Sequence, residues 1–290
     1  MAYPFYLVNA FTSRFEGGNP AAVVFLDGRI PDSDLANLAK NLNQPATAFL
    51  IPSQEGDADP SSKTFEIRWF IPSREIPLCG HASLAASGVI FSGQTPAGQN
   101  ITQLHLKNPN GNTITAHKRG NRVHLSLPAS TVHPISDQDR PKVEEVVKKA
   151  LGKQDVRFKF IGEGDGDFKN FLFVEIEEDH LGDLNGDLSA FFQLGYNMHV
   201  ITSASPSDGI VFQSRVFGKA ETIFEDPVCG SAHSLLTPYW SGKCGEIGSL
   251  LEAKQVSSRG GDLQVCWKKA EGRVTLGGEY RVFAKGDILL

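Results

Sequence analysis

A short run of residues able to bind an anion and move a proton occurs twice in the chain. "PLCGHASLAAS" covers residues 77–87 and "PVCGSAHSLL" covers residues 227–236, starting 150 residues apart. Each copy reads Pro, aliphatic, Cys, Gly, polar, Ala in the same order. Packing alone does not require such a duplication, so the motif predicts one functional element in each half of the chain.

Each copy is predicted to be a strand, a loop and a helix that starts at a glycine, Gly80 or Gly230. The first N–H groups of a helix have no partner inside it and, together with the helix dipole, they form an anion-binding site. The expected ligand is therefore a small carboxylate-bearing molecule held between two lobes. Gly80, Gly230 and Ser231 are predicted to hold its anionic group.

The side chains at these helix starts can transfer protons. An acid on one face of a substrate and a base on the other move a proton without a cofactor, and none is predicted. Asp226 and His81 are assigned to proton handling or substrate hydrogen bonding, Cys229 is a candidate acid/base, and Cys79 is expected to flank the substrate.

The same residues offer a second hypothesis, a metal site. Cys79, His81, Cys229 and His233 are all ligand types that zinc accepts. Their spacing, with one and three intervening residues around a helix start, does not resemble a zinc knuckle. No metal site is predicted.

The duplication extends upstream of the motif. The further matching pairs are Glu75 with Glu225 and, once three extra residues are allowed in the second copy, Arg68 with Arg215 and Phe70 with Phe217. This predicts an N-terminal lobe over residues 1–127 and a C-terminal lobe over residues 128–290, with the last strand a candidate to return to the N-terminal lobe. The Pro- and Ser-rich residues 127–141 are the candidate linker.

Hydrophobic periodicity supplies the remaining elements. It predicts many short strands, among them one over residues 209–217. It also predicts a surface loop over residues 53–63 and a helix over residues 32–42 capped by Asp32 or Ser33. The other predicted helices start after Gly80 and stop at Gly93, cover residues 142–151 and 188–194, and run from Gly230 onward.

Composition excludes several classes of protein. A formal charge of -5 over 290 residues gives no basic surface for nucleic acid or an anionic membrane. Four cysteines are too few for a disulfide scaffold, and the first residues lack the pattern of a signal peptide. No apolar run approaches the ~20 residues of a membrane-spanning helix. We expect a soluble, cytoplasmic protein.

Four segments resemble the phenazine-biosynthesis PhzF-like family: "NAFTSRFEGGNPAAVV", "RWFIPSREIPLCGHASLAA", "EDPVCGSAHSLLTPYW" and "QVSSRGGDLQV". The resemblance implies an α+β fold shared with diaminopimelate epimerase and proline racemase, with two lobes that are each a curved, mostly antiparallel sheet around a central helix. It also implies a cofactor-independent isomerase, often a homodimer. Carried over by motif, His81, Asp226, Gly230 and Ser231 are site positions, and Asn19 joins the substrate-binding residues.

One position departs from the family pattern. The family's catalytic Glu lies in a Ser-Glu-Thr-Ala-Phe segment, whereas "QPATAF" places Ala46 there. An alanine cannot carry a proton. Three explanations stay open: the role has moved to Asp226, His81 or a cysteine, Ala46 is an engineered replacement of Glu, or the protein binds its ligand without acid–base chemistry.

The two cysteines add a further hypothesis. Cys79-Gly80 and Cys229-Gly230 resemble the Cys-Gly motifs of proline racemase and diaminopimelate epimerase, which use two opposed cysteines as acid and base. A helix N-terminus lowers the pKa of a thiol, which favours such a role. The sequence thus predicts an isomerase or epimerase acting on a small carboxylate, with secondary metabolism as a possible context. The alternative is a shape-directed cyclase or a non-catalytic binding homologue.

Overall fold

A computed structural model describes residues 2–53, 59–93, 95, 100–219 and 223–290. The chain divides into two compact units. The first contains the residues up to Leu127 together with Thr275–Leu290, and the second contains Pro128–Val274. Within the described residues, no helix is long and apolar enough to span a membrane.

Strands dominate both units. Those of the first unit are β1 (Ala2–Ala10), β2 (Asn19–Phe25), β3 (Ala46–Pro52), β4 (Ser62–Ile71), β5 (Arg74–Ile76), β6 (Gln103–Lys107), β7 (Thr113–Arg119), β8 (Arg122–Pro128) and the last strand of the chain, β18 (Tyr280–Leu289). The remaining strands are β9 (Val132–Pro134), β10 (Phe158–Gly164), β11 (Phe171–Ile176), β12 (Met198–Ala204), β13 (Phe212–Lys219), β14 (Ile223–Asp226), β15 (Leu251–Gln255), β16 (Gly261–Lys268) and β17 (Arg273–Gly278). The helices are α1 (Asp32–Leu42), α2 (Gly80–Phe91), α3 (Arg140–Leu151) and α4 (His233–Cys244).

The two units repeat one strand topology. In the first, β1 pairs with β2 and β18, β2 is parallel to β3, β3 is antiparallel to β4, and β4 is antiparallel to β5 and parallel to β6. In the second, β10 pairs with β11 and β9, β11 is parallel to β12, and β13 contacts β12, β14 and β15 with the corresponding polarities. The order of pairings is therefore duplicated, as the repeated motif indicates.

Helix α2 is the central helix of the first unit. All twelve of its residues are buried, because it packs against β1, β2, β3, β7 and β18. The run of small residues after Gly80 permits this close approach. At Gly88 a Cβ atom would lie 2.5 Å from the ring of Tyr280 in β18, so only glycine fits there.

The structure corrects several local predictions. Helix α4 starts at His233 rather than Gly230, because the preceding turn makes i→i+3 bonds such as His233 N to Gly230 O at 3.1 Å. Residues 188–193 form a 3₁₀ helix. Neither Asp32 nor Ser33 caps α1, whose N-cap is Pro31 without a side-chain bond, since Arg68 binds the Asp32 carboxylate instead.

Two further predictions differ in extent from the observed elements. The predicted strand over residues 209–217 is β13, and the short strand β14 after it is absent from the prediction. Of the predicted surface loop over residues 53–63, residues 54–58 lie outside the described part of the chain, and β4 already starts at Ser62.

Candidate functional site

An arginine–glutamate pair anchors the first repeated element. Arg68 in β4 donates from Nε and Nη2 to the two carboxylate oxygens of Glu75 in β5, at 2.8 and 2.6 Å. Its guanidinium also lies 5.2 Å from the ring centroid of Phe70, and Nη1 donates to Asp32 at 2.6 Å. A bidentate pair fixes both position and orientation, so it holds β5 in place just before the loop that leads to α2.

The loop enters α2 through Cys79, which adopts an extended conformation at the N-cap. Its carbonyl accepts hydrogen bonds from the N–H of Ser83 at 3.1 Å and the hydroxyl of Ser83 at 2.7 Å. The first turn of α2, which lies within the described residues, has no capping side chain and no acidic residue. The N–H groups at the start of α2 therefore keep their capacity for an anion.

His81 lies in the first turn of α2 and is 8% exposed. Its Nδ1 atom is 3.5 Å from Sγ of Cys79, and Nε2 has no hydrogen-bond partner among the described residues. Burial lowers the pKa of His81 to about 4, although the nearby Pro20 carbonyl opposes this shift. The imidazole is therefore neutral at neutral pH, and its Nε2 atom is buried.

Asn19 and Ala46 begin two adjacent strands. Asn19, 1% exposed, opens β2, and Ala46, 0% exposed, opens β3. Ala46 pairs with Ala21, so the position at which the resemblance leads us to expect a glutamate lies in the buried sheet beside β2. The Ala46 side chain offers no group that could hold or move a proton.

A cavity of about 300 Å³ lies elsewhere in the first unit. Its walls combine apolar residues such as Leu35 and Phe49 with the Arg68 and Glu75 ion pair. None of the residues that line it is a predicted site residue, so we do not assign it to the reaction.

The second repeated element has the same arginine–glutamate pair, and here the pair is more deeply buried. Arg215 in β13 donates to both oxygens of Glu225 in β14, at 2.7 and 3.0 Å, and lies 5.0 Å from the ring centroid of Phe217. It also donates to the main-chain carbonyls of Leu181 and Leu184. Four acceptors therefore surround this guanidinium, whose side chain is only 8% exposed.

Asp226 follows Glu225 and ends β14. Its Oδ1 accepts the N–H of Val228 at 3.1 Å, which folds the loop into a turn. The side chain of Gln255 spans this turn: Nε2 donates to the Asp226 carbonyl at 2.5 Å, and Oε1 accepts the N–H of Cys229 at 2.9 Å. Ser257 donates to the Pro227 carbonyl at 2.7 Å.

Cys229 precedes the turn that opens α4 and is 3% exposed. Its Sγ atom lies 3.3 Å from the hydroxyl of Ser231. Burial, reinforced by the nearby Asp226 carboxylate, raises the pKa of the thiol well above its usual value. The expected lowering of this pKa by a helix N-terminus is therefore wrong for Cys229, because desolvation outweighs the dipole.

His233, the first residue of α4, supports the Cys229 backbone. Its Nδ1–H donates to the Cys229 carbonyl at 2.8 Å, and the ring is completely buried. Burial lowers the pKa of His233 to about 4. This histidine is therefore neutral at neutral pH and holds the loop. Nowhere in the described ranges do three or more His, Cys, Asp or Glu side chains form a group that could hold a metal ion.

Comparison with known proteins identifies the family. Residues 8–286 match the PhzC-PhzF family, described as phenazine biosynthesis-like protein. A protein of Halalkalibacterium halodurans named as an uncharacterized isomerase is 33% identical, with 100% of both chains covered. The chain belongs to the PhzF-like family. The crystal structure of a PhzF-family protein from Enterococcus faecalis resembles this PhzF-like protein with a TM-score of 0.82 and 32% identity, over 100% of both chains.

The comparisons also confirm the predicted fold class. A probable proline racemase from Agrobacterium radiobacter matches with a TM-score of 0.62 at 15% identity, covering 99% of this chain and 93% of that one. At this identity the match shows the fold alone. The predicted α+β fold of the epimerase and racemase type is thus the fold of this PhzF-like protein.

The structure places the predicted site residues of each unit close together along the chain. Cys79, Gly80 and His81 lie at the start of α2, and Asp226, Cys229, Gly230 and Ser231 lie in the turn before α4. Sequence reasoning missed the role of Gln255 and Ser257, although both lie in the quoted segment "QVSSRGGDLQV". It also aligned Arg68 with Arg215 without predicting that each arginine anchors the glutamate of its own unit.

Proposed function

We propose that this PhzF-like protein is a cofactor-independent isomerase that moves a carbon-bound proton on a small carboxylate-bearing metabolite. The observation that carries the proposal is the Asp226 turn, in which a carboxylate lies a few residues before the i→i+3 turn that opens α4. A carboxylate can take a proton from carbon and return it, while N–H groups at a helix start bind the substrate's anionic group. Membership in a family with isomerase-named relatives supports this reading.

Each further residue has a defined role in the proposal. Asp226 is the acid/base, and Gly230 and Ser231 bind the carboxylate. In the first unit, His81 is neutral and is assigned to hydrogen bonding with a substrate group, and the start of α2 at Gly80 is a second place for a negative charge. Cys79 and Asn19 are the other candidate binding residues of this unit. No cofactor enters this scheme.

Solvent-deuterium incorporation tests the proposal. The protein is incubated in D₂O with proline, diaminopimelate and a cyclohexadiene carboxylate, and each acid is examined by mass spectrometry. We expect incorporation into at least one acid and a loss of about 10²–10⁴-fold in the Asp226→Asn variant, because the amide cannot act as a base. The matched amide keeps an oxygen for the Val228 N–H, so the turn is preserved.

Two results would contradict the assignment of Asp226. Incorporation at an undiminished rate in Asp226→Asn would remove its acid/base role. Loss of incorporation accompanied by a changed far-UV spectrum would attribute the effect to folding.

A second function is favoured by Ala46, which occupies the position of the family's glutamate. A shape-directed cyclase or a binding homologue needs no proton donor at this position. The Ala46→Glu variant separates the two functions in the same assay. Incorporation that appears only in this variant would show that the unaltered chain lacks the isomerase activity, whereas incorporation in the unaltered chain supports our proposal.

A further inference from the structure

The end of strand β15 reaches the turn that carries Asp226. Gln255 is the last residue of β15, is 1% exposed, and its amide bonds the backbone on both sides of the turn. The side chain thereby satisfies one acceptor, the Asp226 carbonyl, and one donor, the Cys229 N–H. Buried backbone groups require such partners, so the amide stabilises the observed conformation of this turn.

Ser257 extends the contact two residues further along the chain. Its hydroxyl donates to the Pro227 carbonyl at 2.7 Å and accepts the Gly260 N–H at 3.0 Å. Three backbone groups of the turn therefore bond side chains from one segment: the carbonyls of Asp226 and Pro227 and the N–H of Cys229. Together Gln255 and Ser257 form a clamp on the turn.

The first unit offers a natural comparison for this clamp. Ser214 pairs with Gln255, and the register of β4 with β6 places Asn108 one residue beyond the Glu66–Lys107 pair, beside Ile67. Since Ile67 and Ser214 each precede the aligned arginine, Asn108 occupies the position of Gln255.

Asn108 is shorter by one methylene and bonds differently. Its Nδ2 donates to the Ile67 carbonyl at 3.2 Å, and its Oδ1 accepts the Asn110 N–H at 2.9 Å. It is 4% exposed, so the two amides share burial and chemistry. Neither of these two contacts involves the loop at Cys79, which makes Asn108 a matched control for Gln255.

We propose that Gln255 is a positioning residue that fixes the Asp226–Cys229 turn and so orients the Asp226 carboxylate and the N–H groups of Gly230 and Ser231 for one substrate. The functional half of this proposal rests on the isomerase function proposed above. The structural half, a clamp formed in solution, stands independently of any substrate.

Amide hydrogen exchange measured by NMR tests the clamp on the full chain. In the unaltered protein the Cys229 amide should exchange at least about tenfold more slowly than those of Gly230 and Ser231, because only a hydrogen-bonded amide is protected. Exchange of Cys229 as fast as its two neighbours would overturn the proposal without any variant.

Two substitutions sharpen the test. Gln255→Met keeps the length of the side chain and removes both hydrogen bonds, so the Cys229 amide should exchange about tenfold faster. Asn108→Leu removes a comparable buried amide and should leave that exchange within about twofold of the original rate. An equal effect of both variants, or no effect of Gln255→Met, would overturn the clamp.

The Gln255→Glu variant distinguishes the two hydrogen bonds of the Gln255 side chain. Gln255→Glu retains an acceptor for the Cys229 N–H and loses the donor to the Asp226 carbonyl. Protection of the Cys229 amide should therefore persist in Gln255→Glu, and its loss there would contradict the assigned contact.

Substrate turnover separates this inference from the proposed function. With an acid that incorporates deuterium, Gln255→Met should lower the maximal rate by about tenfold while leaving the half-saturating concentration within about twofold, because the charged groups remain and only their orientation changes. An unaltered maximal rate would overturn the positioning role while the isomerase stands. A clamp that exchange confirms, combined with incorporation into no acid, supports the clamp and counts against the isomerase.

Discussion

The strand–loop–helix elements of the two units share an anchor and differ in how the loop is held. Both use an arginine, a glutamate and a phenylalanine at matching positions of paired strands, with Phe70 opposite Glu75 and Phe217 opposite Glu225. In both units the carbonyl of the loop cysteine is bonded by a side chain four residues further on, Ser83 in the first and His233 in the second. The second loop is in addition bonded by Gln255, which ends β15, and by Ser257 just after it.

This difference shows which parts of the duplicated element tolerate divergence. The anchor joins two neighbouring strands and therefore depends only on the sheet, which both units share. The contacts of the loop depend on residues that follow it by more than twenty positions, and those residues have diverged. In the unit that carries Asp226, a second segment of the chain holds the loop.

The largest difference between the units is expected for the anchoring arginines. Arg215→Met leaves the Glu225 carboxylate and two main-chain carbonyls without their buried donor, and should lower the free energy of unfolding by about 3–5 kcal/mol. Arg68→Met should cost only about 1 kcal/mol, because the Glu75 side chain is 34% exposed and water replaces the lost contact.

Urea unfolding followed by circular dichroism measures both arginine variants. Equal losses of unfolding free energy in the two variants would show that burial of the ion pair does not distinguish the units. A smaller loss for Arg215→Met than for Arg68→Met would reverse the comparison.

An intermediate effect is expected from the buried histidine of the second element. The pKa of His233 is about 4 in the folded chain, against 6.5 as its ordinary value. Between these values the unfolded chain binds more protons, so stability present above pH 6.5 is lost as the pH falls toward 4. The His233→Asn variant, whose amide can still donate to the Cys229 carbonyl, should unfold with a weaker pH dependence over this interval.

Unfolding free energies at several pH values between 4 and 7.5 check the histidine prediction. The unaltered protein should lose stability more steeply than His233→Asn as the medium becomes acidic. Parallel curves for the two proteins would show that His233 does not account for the dependence.

The smallest effect is expected from the cysteine that distinguishes the second motif. Because burial and Asp226 raise the pKa of Cys229, its thiolate is scarce at neutral pH. Cys229→Ala should change deuterium incorporation by less than about threefold, since Asp226 is the proposed acid/base. A loss as large as that of Asp226→Asn would instead establish the thiol mechanism.

Local sequence patterns predict many of the helices and strands of this protein, because these elements depend on interactions between residues that are close in the chain. The spacing of Leu35, Leu38 and Ala39 predicts α1 with the bounds that the structure shows, and the family motifs identify the fold. The residues 230–232 are an exception: the sequence pattern of a helix start does not distinguish an α-helical turn from the i→i+3 turn found there.

The contacts that hold the candidate site were less predictable. Gln255 reaches a residue 26 positions away, and that contact exists only because β13 and β15 are neighbours in the sheet. The pKa of Cys229 likewise depends on burial, which outweighs the favourable position near a helix. Long-range adjacency and desolvation are therefore the two physical effects that the sequence pattern leaves undetermined.

The return of β18 to the first unit has a consequence for how the chain acquires its structure. Strand β1 is paired along one edge by β2, which follows soon after it, and along the other by β18, which is synthesised about 270 residues later. The second unit has its strands β9–β16 available well before that. The first part to be synthesised is therefore the last to complete its sheet. Until β18 is synthesised, one edge of β1 remains unpaired, and unpaired strand edges are prone to aggregate.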